Sequence, residues 1–87
     1  MKKLIEKLEE CKGSTIVYSL ENAMYFVNSI VESFHYTLEG NSINLYENGE
    51  DELIAFKINL DSVSEISFIN NNINILFNNG TNLHLAV

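Results

Sequence analysis

The sequence predicts a small α+β domain spanning residues 1–87: two N-terminal helices packed on one face of a five- to six-stranded antiparallel β-meander. Three observations lead there. From Ser33 to Val87 apolar and polar residues alternate, the period-2 signature of half-buried strands. Turn-forming pairs interrupt the alternation at Gly40-Asn41, Asn48-Gly49, Asn71-Asn72 and Asn79-Gly80. Ahead of it, two stretches carry apolar residues at helical spacing.

Over residues 2–11, Leu4, Ile5, Leu8 and Cys11 share one helical face, Lys/Glu pairs fill the others, and Gly13 supplies a stop. Ser14–Tyr18 is rich in β-branched residues and reads as a short strand. Over residues 19–33, Leu20, Ala23, Met24, Val27, Ile30, Val31 and Phe34 trace a second helical stripe, with Ser19 as its N-cap. Tyr25-Phe26-Val27 and Ile30-Val31 prefer strands, but the length of the stripe favours a helix.

Requiring apolar residues to share a face puts the meander in register. A two-residue Gly40-Asn41 loop pairs Leu38 with Ile43 and Tyr36 with Leu45. An Asn48–Asp51 loop pairs Leu45 with Ile54 and Ile43 with Phe56. An Asn71-Asn72 loop pairs Phe68 with Ile75 and Ile66 with Phe77. A three-residue Asn78-Asn79-Gly80 loop pairs Ile75 with Leu83 and Ile73 with Leu85, with Gly80 at the left-handed bulge position. Asp61–Glu65 breaks the alternation and reads as a turn. The apolar face so assembled needs cover, which the two helices supply. The opposite face carries His35, Thr37, Asn44, Lys57, Ser67, Asn74, Asn82 and His84.

The composition narrows the function classes. At 46% hydrophobic the chain has material for a packed core. Its net charge of −7 is unevenly spread: residues 1–12 are slightly basic, and beyond them only Lys57 stands against nine acids. Such a body repels phosphate backbones, and a chain without Arg lacks the usual bidentate reader of guanine and phosphate. Direct nucleic-acid binding is therefore not expected. The bias toward Asn and Ile fits an AT-rich bacterial or phage genome. Cys11, the single cysteine, forms no intrachain disulfide, which fits a reducing cytoplasm. The longest uncharged apolar stretch, Ala23–Val27, is far too short to span a bilayer.

No motif for catalysis, metal or cofactor is expected. His35, His84 and Cys11 lack any CxxC, HExxH or HxxxH spacing, and Gly13-Ser14-Thr15 is not a phosphate loop. Two candidate surfaces remain. Glu47, Glu50, Asp51 and Glu52 crowd one hairpin tip and form an acidic finger suited to a basic groove. Leu83, Leu85 and Val87 lie on one face of the last strand. At a sheet edge that strand would pair with a twin in a homodimer or with a partner, and otherwise with Ser14–Tyr18 of its own chain. The expectation is a small, acidic, non-enzymatic binding protein that covers a basic protein surface, as immunity and anti-defence inhibitors do. The alternative is an assembly subunit that oligomerises through its C-terminal edge.

Overall fold

The computed structural model describes residues 2–46 and 54–86. Helix α1 (Lys2–Cys11) is followed by eight strands among the described residues: β1 (Ile16–Glu21), β2 (Phe26–Val31), β3 (His35–Glu39), β4 (Ser42–Tyr46), β5 (Ile54–Asn59), β6 (Val63–Ile69), β7 (Asn72–Phe77) and β8 (Asn82–Ala86). They form two antiparallel sheets, one in the order β2-β1-β8-β7-β6 and one in the order β3-β4-β5.

This corrects the expected architecture of two helices on a single meander. Residues 19–33 form no helix: β1 and β2 are a hairpin, with Ile16 opposite Val31 and Leu20 opposite Val27. Asn22 makes the turn between them, its Oδ1 accepting from the backbone N–H groups of Met24 (2.8 Å) and Tyr25 (3.2 Å). An Asn side chain that satisfies the backbone two residues on is a turn former. The β-branched and aromatic residues on both sides then follow their strand preference.

The meander also divides in two. A 3-10 turn at Leu60–Ser62, capped by the Asn59 side chain, carries the chain from one sheet to the other. The two apolar faces cover each other, so the second helix is not needed as cover. Phe56 of β5 meets Phe77 of β7 across the gap, ring centroids 6.1 Å apart. Leu4, Leu8, Phe34, Ile43, Ile58, Ile73, Ile75, Leu83 and Leu85 are fully buried between the layers. Helix α1 bridges them: Glu9 accepts a hydrogen bond from the Tyr36 hydroxyl on β3, and the Lys3 ammonium lies 4.8 Å from the centre of the Phe68 ring on β6.

Two registers match the expected ones, Leu38 with Ile43 around Gly40-Asn41 and Ile75 with Leu83 around residues 78–80. Two differ by a two-residue step. Leu45 faces Phe56 rather than Ile54, with a bulge beside Tyr46, and Ile66 faces Ile75 rather than Phe77. In the second case the turn is Asn70-Asn71, with Asn70 in the left-handed region at φ 57°.

Candidate functional site

Both candidate surfaces read from the sequence change status. Glu47, Glu50, Asp51 and Glu52 lie outside the described residues, as does Val87. Strand β8 is not an edge: Tyr18 of β1 pairs with Leu85 on one side, and Ile73 of β7 pairs with it on the other. Leu83 and Leu85 are 0% and 1% exposed and belong to the core. The N-terminal strand and the last strand close the sheet on each other, so oligomerisation through the backbone of Asn82–Ala86 has no free groups to use.

The exposed edge lies elsewhere, at β2. It pairs with β1 alone, and none of its backbone groups takes part in another backbone hydrogen bond among the described residues. Apolar side chains on both faces are open to solvent, Phe26 at 58% exposed and Ile30 at 61% on one face and Val27 at 48% on the other, with Met24 and Tyr25 exposed in the adjoining turn, while Val31 at the end of the strand is buried in the core. The helical stripe read over residues 19–33 places Val27 and Ile30 in a core. The overlooked signal is Asn22, a turn former between two β-prone runs.

Register arranges the outer face of the five-stranded sheet in rows. Asn28, Ser19, His84, Asn74 and Ser67 form a polar row from edge to edge, and the His84 imidazole Nδ1 bonds to Asn74 Oδ1. Ile30, Val17 and Ala86 flank it on one side, Phe26, Glu21, Asn82 and Leu76 on the other. His84 thus has a structural partner and no acid beside it in the row.

The other sheet has its own polar cluster. Tyr46 stacks on His35, ring centroids 4.8 Å apart, and its hydroxyl accepts from Thr37. Asn44, 2% exposed, donates to Thr37 and Glu39, while its Oδ1 has no partner. A cleft of about 250 Å³ opens between the sheets, lined by Leu20, Tyr25, Phe56, Phe77, Asn59 and Thr81 among others. Of the four tyrosines only Tyr25 reaches it. Among the described residues its lining contains no His, Cys, Asp or Glu, and its ionisable groups are Lys57 and Tyr25. Cys11 is buried, and that burial, followed by the neighbouring Glu10, raises its thiol pKa. Such a thiol makes a poor nucleophile. Among the described residues no three His, Cys, Asp or Glu converge as metal ligands, and no helix is long and apolar enough to cross a membrane.

The acids are the remaining chemistry. Glu21, Glu32, Glu39, Asp61 and Glu65 are all exposed. The two salt bridges among the described residues, Lys7–Glu10 at 3.5 Å and Lys12–Glu9 at 3.9 Å, are both within or beside α1 and leave those five unneutralised. No protein-family model, curated protein or solved structure matches the chain.

Proposed function

We propose that the chain is a small, non-enzymatic protein-binding module of a reducing cytoplasm that covers a basic surface on a partner protein, in the manner of an inhibitor. A groove that otherwise holds nucleic acid is the surface whose charge it fits. The observation that carries this reading is exposed negative charge: Glu21, Glu39 and Glu65 on strands and Glu32 and Asp61 between them have no salt-bridge partner among the described residues, on a chain of net charge −7. Unneutralised surface charge of one sign accelerates encounter with the opposite sign and sets which partners are rejected. The acids at Glu47, Glu50, Asp51 and Glu52 add to the same potential whatever their conformation.

The test is capture of a partner at low salt, followed by measured affinity as salt rises. The expected partner is basic, and its dissociation constant rises steeply with ionic strength through a slower association rate. Replacing Glu47, Glu50 and Glu52 with Gln and Asp51 with Asn is expected to weaken it further. An affinity indifferent to both salt and these four substitutions sinks the reading.

A further inference from the structure

We infer that β2 is a homodimerisation edge, pairing antiparallel with β2 of a second copy about a two-fold axis through Asn28, so that the two five-stranded sheets become one continuous sheet.

Charge singles out this edge. The two sheets have four edge strands. Three of them carry a charged residue: Glu65 on β6, Glu39 on β3 and Lys57 on β5. A charge on an edge is a standard device against unwanted strand addition. Strand β2, with the sequence FVNSIV, has none, and it has no Pro. From Asn22 to Val31 the chain is uncharged, although the whole carries −7. A basic partner gains nothing electrostatic from this strip. A second copy gains most from it, because here two acidic bodies meet without bringing acid against acid.

The side-chain pattern is also self-complementary, as a two-fold interface requires. Directly opposed residues in an antiparallel pair share a face. With Asn28 on the axis, Phe26 of each copy faces Ile30 of the other, Val27 faces Ser29, and the two Asn28 side chains meet. Two aromatic–β-branched pairs form on the outer face, and the polar row of each sheet joins its counterpart through Asn28. Glu32 comes opposite Met24, not another acid. Moving the axis to Ser29 sets Ile30 against Asn28, and moving it to Val27 sets Phe26 against Asn28. Only the Asn28 register sets both Phe26 and Ile30 against apolar residues of β2.

Solution mass by light scattering, over a concentration series and at two salt levels, tests the proposal. The expected result is a particle of twice the chain mass whose dissociation constant falls as salt rises, because salt screens repulsion between like-charged copies. Binding of a basic partner responds to salt with the opposite sign, so the two readings fail separately. Ile30→Lys is expected to return the particle to monomer mass, while Ile69→Lys on the β6 edge leaves the dimer intact. Ile30 is 61% exposed, so its replacement leaves the core untouched. Asn28→Cys then reads the register. Opposed Cα atoms about 4.5–5.5 Å apart are within disulfide reach, so this variant is expected to form a covalent dimer under mild oxidation. Ile30→Cys is not, because its two copies are about 13 Å apart along the strands. Wild-type protein is the control for buried Cys11. A monomer at every concentration, a dimer indifferent to Ile30→Lys, or efficient cross-linking at position 30 but not at 28 overturns the inference.

Discussion

Truncating Leu85 to Ala decides between two places for the last strand. If the strand were a free edge used for assembly, Leu85 would have a neighbouring strand on one side only, and Leu85→Ala would alter oligomerisation and cost the monomer less. In the structure Leu85 is 1% exposed and flanked by Tyr18 of β1 and Ile73 of β7. The substitution removes three carbons, which at about 0.8 kcal/mol each is about 2.4 kcal/mol of lost transfer free energy. Strands on both sides limit collapse of the resulting cavity, which raises the expected loss to about 3–4 kcal/mol. A chain of 87 residues has a total stability of about 4–13 kcal/mol, so the loss is a large fraction of the whole. Urea unfolding followed by circular dichroism measures it. With a slope of about 1.5 kcal/mol per molar, the midpoint is expected to fall by about 2 M. Ile30→Ala on the exposed edge serves as the comparison. It is expected to move the monomer's midpoint by well under half as much, measured at a concentration where Ile30→Lys and wild type unfold alike. A Leu85→Ala midpoint within about 0.3 M of wild type would refute the closure of β8 between β1 and β7, and with it the two-sheet arrangement.

Other positions give independent checks. Asn44→Leu removes a buried Oδ1 that has no partner and releases Thr37 and Glu39, both exposed, to water; stability is expected to stay within about 1 kcal/mol or rise, and a loss above about 2 kcal/mol would mean that the oxygen is bonded. Gly80 has φ 89° and Ser33 has φ 51°, so Gly80→Ala is expected to lower stability by about 1 kcal/mol or more while Ser33→Gly leaves it unchanged or raises it; the same sign at both sites contradicts the backbone described. The Cys11 thiol is raised above 9.0 by burial and then by Glu10, and the Tyr36 hydroxyl is raised above 10.0, first by its hydrogen bond to Glu9. In both cases the unfolded chain releases its proton first, so stability is full below pH 9.0 and falls as pH rises through the folded values. Urea midpoints between neutral and alkaline pH are expected to show this decline in wild type, less of it in Cys11→Ala, and least in Cys11→Ala with Tyr36→Phe.

The alternation of residues carries some of this structure and is silent on the rest, for a definite reason. A period of two assigns each residue to a face, and every residue placed on the polar face of β6–β8 lies on the outer side of its sheet in the registers observed. It does not distinguish registers that differ by two residues, since such a step preserves faces. That is why the β4–β5 and β6–β7 pairings differ from expectation while Ile43, Leu45, Phe56, Ile58, Ile66, Phe68, Ile73 and Ile75 still point inward. The Gly40 and Gly80 hairpins are legible because glycine fixes the turn itself. Nor does alternation say what covers an apolar face. A helix and the other half of the same sheet are equally good cover, and the choice rests on residues 19–33, where an approximate helical stripe competes with Asn22 and a β-prone run.

That segment also governs where function resides. Read as a helix, residues 19–33 bury Val27 and Ile30, and the sole feature left for a partner is the acidic tip. As the β1–β2 hairpin, the same residues give an uncharged apolar edge to a strongly acidic body. The two features reinforce each other. Pairing of β2 edges brings Phe26 and Ile30 of the two copies into contact, satisfies the free backbone groups and joins two acidic surfaces in one particle, carrying twice the −7 of one chain. Doubling the charge raises the encounter rate with a basic partner, and two linked copies raise avidity where the partner offers two sites. Ile30→Lys is then expected to weaken binding of the basic partner without touching an acid. Its effect should shrink to the change in association rate when the partner is presented as a single isolated site. A variant that lowers affinity for a monovalent partner as much as for a multivalent one would instead place β2 in the partner's own footprint, and would assign the edge to the partner rather than to a second copy.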